Sequence, residues 1–340
     1  MYETEAGSGE YQVASDSAWP KSGYTFNEDL SKCENGSILI WDEESKKVLM
    51  KANTSDKCYV YFDKEPNTLA SYIINNVYTG IDGENDLYYH DGSGSYTNAD
   101  QEAGDNSYRY SGANPNNYVC FGSDETICPD ENLYRIIGVF GENIKLIKAS
   151  SYGNYRWSNN TDNTWNNSVL NTDTLNTTYY NNLESKWQNM ITIFNWKTAE
   201  LANSSMTVKT IYTNEVINNS ISYATKIGLI YVSDYGYAAS PEAWTINLNL
   251  YNSSTATNNN WMFIGLYEWT ITAGPQVYTG SPRNPYTDTA FFIQSTGEVY
   301  NDYQSWLSNE FSVRPSFYLG ADVIYISGIG TQSNPYRISA

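Results

Sequence analysis

Trp261-Met262-Phe263-Ile264-Gly265-Leu266-Tyr267-Glu268-Trp269, Ala290-Phe291-Phe292-Ile293, Gly297-Glu298-Val299-Tyr300 and Val313-Arg314-Pro315-Ser316-Phe317-Tyr318-Leu319 follow one another near the end of the chain. Each is an apolar, aromatic-rich run bounded by Gly, Pro, Asn or Ser, which is the pattern of a short strand. A single Arg interrupts the last run. Between Val313 and Pro315, Arg314 is expected to be partly buried and structural, its five donors met by backbone carbonyls or a carboxylate.

Working outward, the composition is polar but weakly charged. The 340 residues include 32 Tyr, 10 Trp and 40 Asn, with only 17% charged. Aromatics at 15% supply enough apolar area to offset chain entropy, which excludes a disordered chain. The Asn and Tyr excess has two readings, a compositional bias of the genome or an adhesive surface. Net charge is −19, from 19 basic and 38 acidic residues. With Lys and Arg scattered singly, that balance excludes nucleic acid and disfavours anionic membrane surfaces.

Four cysteines, Cys33, Cys58, Cys120 and Cys128, allow three connectivities, and locality favours Cys33–Cys58 with Cys120–Cys128. Zinc is the rival, but no Cys-x-x-Cys pair is present and His90 is the sole histidine. Disulfides imply an oxidising compartment, hence an extracellular, cell-surface protein. No signal peptide or run of ~20 apolar residues is found. The opening Met1-Tyr2-Glu3-Thr4-Glu5-Ala6-Gly7-Ser8-Gly9 is read as a start after an excised leader, or a membrane or cell-wall anchor.

Three regions are expected. Residues 1–65 form a small all-β domain: Gly36–Trp41 and Lys47–Met50 make a hairpin, and Cys58–Phe62 staples back to Cys33. Residues 66–105 are a helix followed by an acidic Gly/Asp-rich linker. Leu69, Tyr72, Ile73, Asn76 and Val77 share a face of that helix, and Gly80 ends it. Residues 106–340 form the large domain. Leu133–Phe140 and Ile144–Lys148 are a hairpin there, Thr164–Phe194 is helical, and Ile227–Val232 is a core strand. The helical segment buries Leu170, Leu175, Tyr179, Leu183, Trp187, Met190 and Ile191. Helices beside a sheet with closing strands make the class α+β.

The aromatic strand, the Gly turn and the closing Val313-Arg314-Pro315 resemble the end of the C-type-lectin-like fold in its formylglycine-generating-enzyme-like branch. The resemblance covers roughly Asn106 to Ile338. It implies a C-type-lectin-like domain, preceded by a β-module similar to those found in surface proteins of Gram-positive gut bacteria. Enzymes of that fold use a C-terminal cysteine pair for copper, or histidines for iron. This chain has no cysteine after Cys128 and one upstream histidine, so neither ligand set is present. In retroelement-diversified proteins of the fold, the ligand-binding positions lie in this C-terminal stretch.

Other chemistry is weighed on the residues. His90, within Tyr89-His90-Asp91-Gly92, is expected to be solvated. Asp82-Gly83-Glu84-Asn85-Asp86 is the place for calcium, but a full calcium loop is lacking and a solvated acidic loop is preferred. No other metal or cofactor is implied. Asp234, Glu242, Glu268, Asp288, Glu298, Asp302 and Glu310 could supply the paired carboxylates of a glycosidase.

What remains is a paratope-like set of Tyr, Asn, Trp and Arg on Gly/Pro/Ser loops. The candidate ligand-binding residues are Tyr267, Trp269, Tyr278, Arg283, Tyr286, Tyr300, Asp302, Tyr303 and Trp306. The expected function is non-catalytic binding of a protein or glycan on a host or neighbouring cell. The alternatives are a pilus or surface-layer subunit and a carbohydrate-active hydrolase.

Overall fold

The structure is a computed structural model that describes the chain except residues 15–22, 43, 52–54, 95–100, 160–161, 253–256, 279–285 and 302–306. Backbone alone is described at residues 277, 278, 286 and 287. The chain divides into two units, Met1–Asn67 and Thr68–Ala340. Both are mostly sheet, and the short helices belong to the second.

In the first unit, Tyr2–Glu3 lies between Tyr11–Gln12 and Phe62–Lys64, and Tyr24–Phe26 completes the sheet. The Ile38–Asp42 and Lys47–Lys51 hairpin runs in register from Ile38↔Lys51 to Asp42↔Lys47. Asp42 closes its turn by accepting the Ser45 N–H at 3.1 Å. The core is small: among the described residues, only Tyr2 and Phe62 of its large apolar side chains are buried. The Phe26 and Trp41 rings pack around Phe62, with centroids 6.0 and 5.7 Å away. A core of this size gains from a covalent staple. The Cys33–Cys58 disulfide supplies it, across the paired Lys32–Cys33 and Cys58–Tyr59 strands. Asp56 lies beside those sulfurs, but they are bonded to each other and so are not free to ligate zinc.

The second unit is built on two sheets. The larger has the order Ile227–Gly228, Ser316–Leu319, Asn143–Lys148, Leu133–Phe140, Ser107–Tyr110, Leu87–His90, with Tyr118–Cys120 also pairing on Leu133–Phe140. Leu133 to Val139 are all buried, as in a strand covered on both faces. The smaller sheet has the order Gly153–Arg156, Glu310–Val313, Glu268–Tyr278, Tyr286–Ile293, Val299–Tyr300. A second disulfide, Cys120–Cys128, closes the loop that follows Tyr118–Cys120.

Arg314-Pro315 is where the chain leaves one sheet for the other. Glu310–Val313 pairs in the smaller sheet and Ser316–Leu319 in the larger. Proline cannot donate to a ladder, but its carbonyl accepts the Lys148 N–H at 3.0 Å. Arg314, 1% exposed, donates from Nε to Glu268 Oε1 at 2.7 Å and from Nη2 to Glu268 Oε2 at 2.8 Å. Nη2 also reaches the Met262 carbonyl at 2.7 Å. The corner is thus held by a bidentate ion pair and a backbone acceptor.

Helical expectations are met with interruptions. Pro66–Thr79 holds a short helix, Leu69–Tyr72, continued by a wider π-type turn, Ile73–Val77. Thr68 caps it by accepting the Ser71 N–H at 3.1 Å. Thr164–Phe194 breaks into Trp165–Asn167, Leu170–Tyr179 and Ser185–Met190. Its Asn and Thr side chains compete for backbone groups, as Thr177 does by donating to the Thr172 carbonyl at 2.7 Å. The expected stripe is nonetheless buried, except Leu183, which is half-buried. The strand expected over Ile227–Val232 stops at Gly228, and a wholly buried helix, Val232–Ala238, follows. Asp234 starts that helix by accepting the Tyr231 N–H at 2.8 Å.

The stretch expected as a linker belongs to the second unit, because Leu87–His90 is an edge strand paired with Ser107–Tyr110. This also corrects the expectation for His90, which is fully buried. Its Nδ1 accepts the Ala103 N–H at 2.9 Å, which leaves the proton on Nε2. Burial, with Arg109 nearby, holds its pKa well below the usual value, so the ring is neutral. Tyr237 and Trp244 pack on it, with centroids 4.9 and 5.3 Å away.

Candidate functional site

Among the described residues, three segments meeting on the smaller sheet assemble a polar pocket. The Phe194–Lys197 and Ser222–Thr225 strands form an antiparallel pair in which Trp196 is opposite Tyr223. The Leu201 N–H donates to the Ala273 carbonyl at 2.9 Å and so ties the residues after Lys197 to the Glu268–Tyr278 strand. The third segment begins at Asp162, whose carboxylate accepts the Thr164 N–H at 2.8 Å and the Asn167 amide at 3.0 Å. That hydrogen-bonded turn holds the Asp162 carboxyl below its usual pKa.

Asn163 locks this loop to the sheet. Its amide donates to the Gly274 carbonyl at 2.8 Å and to the Thr289 carbonyl at 3.1 Å, bridging two paired strands where their register shifts. Glycine is required at 274, since a Cβ would lie 2.5 Å from Thr289 Oγ1. Between these segments lies a pocket of about 320 Å³, lined among others by Asn163, Thr164, Thr198, Glu200, Ser222 and Tyr223. Asn163 and Tyr223 are half-buried, and Thr164, Glu200 and Ser222 are exposed. Partial burial of the carboxyl, with the charge of Asp288, raises the Glu200 pKa above its usual value. Asp288 in turn accepts from the Gln276 amide at 2.9 Å.

The residues expected to bind ligand scatter in relation to this pocket. Tyr267 is exposed, its ring lying against Phe292 and Phe311. Trp269 is a correction: it is fully buried, and its indole N–H donates to the Tyr155 carbonyl at 2.9 Å. A ring enclosed in the core has no face to offer a partner. Tyr300 is half-buried and packs against the core. Tyr278 and Tyr286 are paired at the end of the Glu268–Tyr278 and Tyr286–Ile293 strands. Arg283, Asp302, Tyr303 and Trp306 lie outside the described residues.

The C-terminal carboxylates mostly have structural partners. Glu268 holds Arg314, Asp234 accepts from Lys145 at 2.6 Å, and Glu310 pairs with Arg156 on the surface at 3.3 Å. Glu298 accepts from the Asn252 amide at 2.7 Å. In the acidic loop, Asp82 accepts the Tyr89 N–H at 2.7 Å and the Tyr78 hydroxyl at 3.1 Å, which ties down the first of the oxygens considered for calcium. Among the described residues, Cys33, Asp56 and Cys58 are the one group of three metal-ligating side chains within mutual reach, and two of them are the disulfide.

Asn163, Thr198, Glu200 and Tyr223 were not among the sequence candidates. The one local signal is the Asn-rich run around Asn163, from Asn159 to Asn167. No family model, curated protein or solved structure matches the chain.

Proposed function

We propose that this is an exported, non-catalytic surface protein whose second unit is C-type-lectin-like, of the formylglycine-generating-enzyme-like branch, and binds a glycan. One observation carries the reading: a polar pocket of about 320 Å³ sets amide, hydroxyl and carboxyl groups beside the Tyr223 ring. Sugar hydroxyls both donate and accept, and sugar C–H faces rest on aromatic rings, so this lining is complementary to a saccharide. Its residues stand on hydrogen-bonded strands and a locked loop, which lowers the entropy lost on binding. Two disulfides support an oxidising compartment.

A second reading, a carbohydrate-active hydrolase, draws on the raised Glu200 carboxyl near the charge of Asp288. A carboxyl raised in the field of a second acidic residue is an arrangement a glycosidase uses for its general acid. A glycan-array screen, followed by calorimetric titration of the best hit, tests both readings. Tyr223→Ala and Glu200→Gln should each weaken binding about tenfold or more, with the melting temperature held and no reducing ends released. Binding untouched by both substitutions would place recognition elsewhere. Release of reducing ends that Glu200→Gln abolishes would establish the hydrolase instead.

A further inference from the structure

A second cavity in the same unit, of about 130 Å³, has different chemistry. Its walls are rings, including Phe140, Phe194, Tyr212 and Tyr231. Its polar end is formed by Arg109 and Asp234, each 2% exposed, and their hydrogen bonds are incomplete. Arg109 donates from Nε to the Ser107 hydroxyl at 2.8 Å and from Nη2 to Asp105 at 2.7 Å. Its Nη1 comes no nearer than 3.7 Å to Asp234 Oδ1, outside hydrogen-bond range. Asp234 Oδ2 accepts from Lys145 at 2.6 Å and from the Tyr231 N–H at 2.8 Å, while Oδ1 faces Arg109 across that gap.

Tyr318, also lining the cavity and 2% exposed, makes no hydrogen bond through its hydroxyl among the described residues. Arg109 Nη1, Asp234 Oδ1 and the Tyr318 hydroxyl thus belong to residues lining the cavity and have hydrogen-bonding capacity that a guest can use.

The formal charges in and around the cavity balance: Arg109, Lys145 and the lining Lys197, whose Nζ donates to the Asn219 carbonyl at 2.9 Å, against Asp105, Asp234 and Glu215. The nearby Glu215 carboxyl is occupied by the Val232 and Ser233 N–H groups, at 3.0 and 2.9 Å. A charged guest would lose its hydration without gaining a counter-charge, whereas a neutral dipole would satisfy both sides. The volume suits one ring, since an engineered cavity of about 150 Å³ holds benzene.

We propose that this cavity binds a neutral, benzene-sized group bearing a carboxamide. The carbonyl oxygen accepts from Arg109 Nη1, the amide N–H donates to Asp234 Oδ1, and the ring lies among the aromatic walls. The site is separate from the glycan pocket and does not depend on that reading.

The test uses the full chain and four probes: benzamide, benzoate, benzylamine and toluene, followed by calorimetry and ligand-observed NMR. Benzamide should bind saturably and raise the melting temperature, with the other three at least about tenfold weaker. Tyr318→Phe should weaken benzamide severalfold. Val216→Trp, which fills the cavity from its half-buried wall, should abolish binding. Should that variant fail to fold, Asn195→Trp, at an exposed lining position, should block entry instead. Non-saturable benzamide, equal binding of benzoate or benzylamine, or binding that survives the blocking variants would each overturn the proposal.

Discussion

Replacing Arg314 by Ala should destabilise the second unit by an amount that depends on pH. Arg314 and Glu268 are 1% and 2% exposed, so removing the guanidinium leaves a buried carboxyl and the Met262 carbonyl without their donor. Breaking one side of a buried pair costs about 3–5 kcal/mol. For a unit of this size, each kcal/mol moves the melting temperature by about 2–3 °C, so a fall of about 6–15 °C is expected. Burial already raises the Glu268 carboxyl above its usual pKa, and Arg314 opposes that rise. Without Arg314 the carboxyl is raised further. A raised carboxyl contributes stability that is present below its unfolded pKa and lost as pH climbs through the folded value. The Arg314→Ala defect should therefore be smaller at pH 5 than at pH 8. Replacing both residues by Met should recover much of the loss, because no charge is then stranded. Thermal melts at the two pH values measure all of this. A fall below about 2 °C, or an equal fall at both pH values, would refute the argument that Arg314 serves to neutralise a buried carboxylate.

Other outcomes follow from the same structure. Glu102 is buried, with Oε2 unpartnered, and its carboxyl is pushed up to about 7 by burial and by Asp82 and Asp91, against the opposing charge of Lys209. Its contribution is present below about pH 4.5 and is lost as pH rises through about 7. Glu102→Gln should therefore stabilise by ~1–2 kcal/mol at pH 8, after allowance for solvent screening, and change little at pH 4.5, read from urea melts. Cys33→Ser with Cys58→Ser opens a loop with a sequence separation of 25 and should cost the first unit about 3 kcal/mol, seen as faster proteolysis within residues 1–67. Gly328→Ala should cost more than about 1 kcal/mol in a melt, because φ there is +95° and a Cβ would lie 2.1 Å from the Pro335 carbonyl.

What could be read in advance was what local pattern controls. Leu133–Phe140 shows itself by a mostly apolar run interrupted by Arg135, and a lone Arg within Val313–Leu319 announces a need for partners. That the partner is Glu268 is set by strand pairing 46 residues away, which no local pattern encodes. Trp269 looks like its neighbour Tyr267, yet the Glu268–Tyr278 strand begins between them, so strand alternation does not put the two on one face. The Gly, Ser and Asp around His90 suggest solvent, whereas its cover comes from Tyr237 and Trp244, far along the chain. The pocket is non-local in the same way: Asn163, Glu200 and Tyr223 meet through backbone contacts such as Leu201 to Ala273.

The strand order has a consequence for how the molecule is made. Ser316–Leu319, made long after the strand it pairs with, lies inside the larger sheet, between Ile227–Gly228 and Asn143–Lys148. Until it arrives, one edge of Asn143–Lys148 lacks a partner strand, the kind of surface that sticks to other nascent chains. The residues that close the sheet pair across about 170 positions, as Ile147 does with Ser316, so closure is slow and waits for that strand. A ribosome that stalls anywhere before residue 316 would release an open-edged intermediate in need of a chaperone, whereas a chain held unfolded until finished would avoid that hazard.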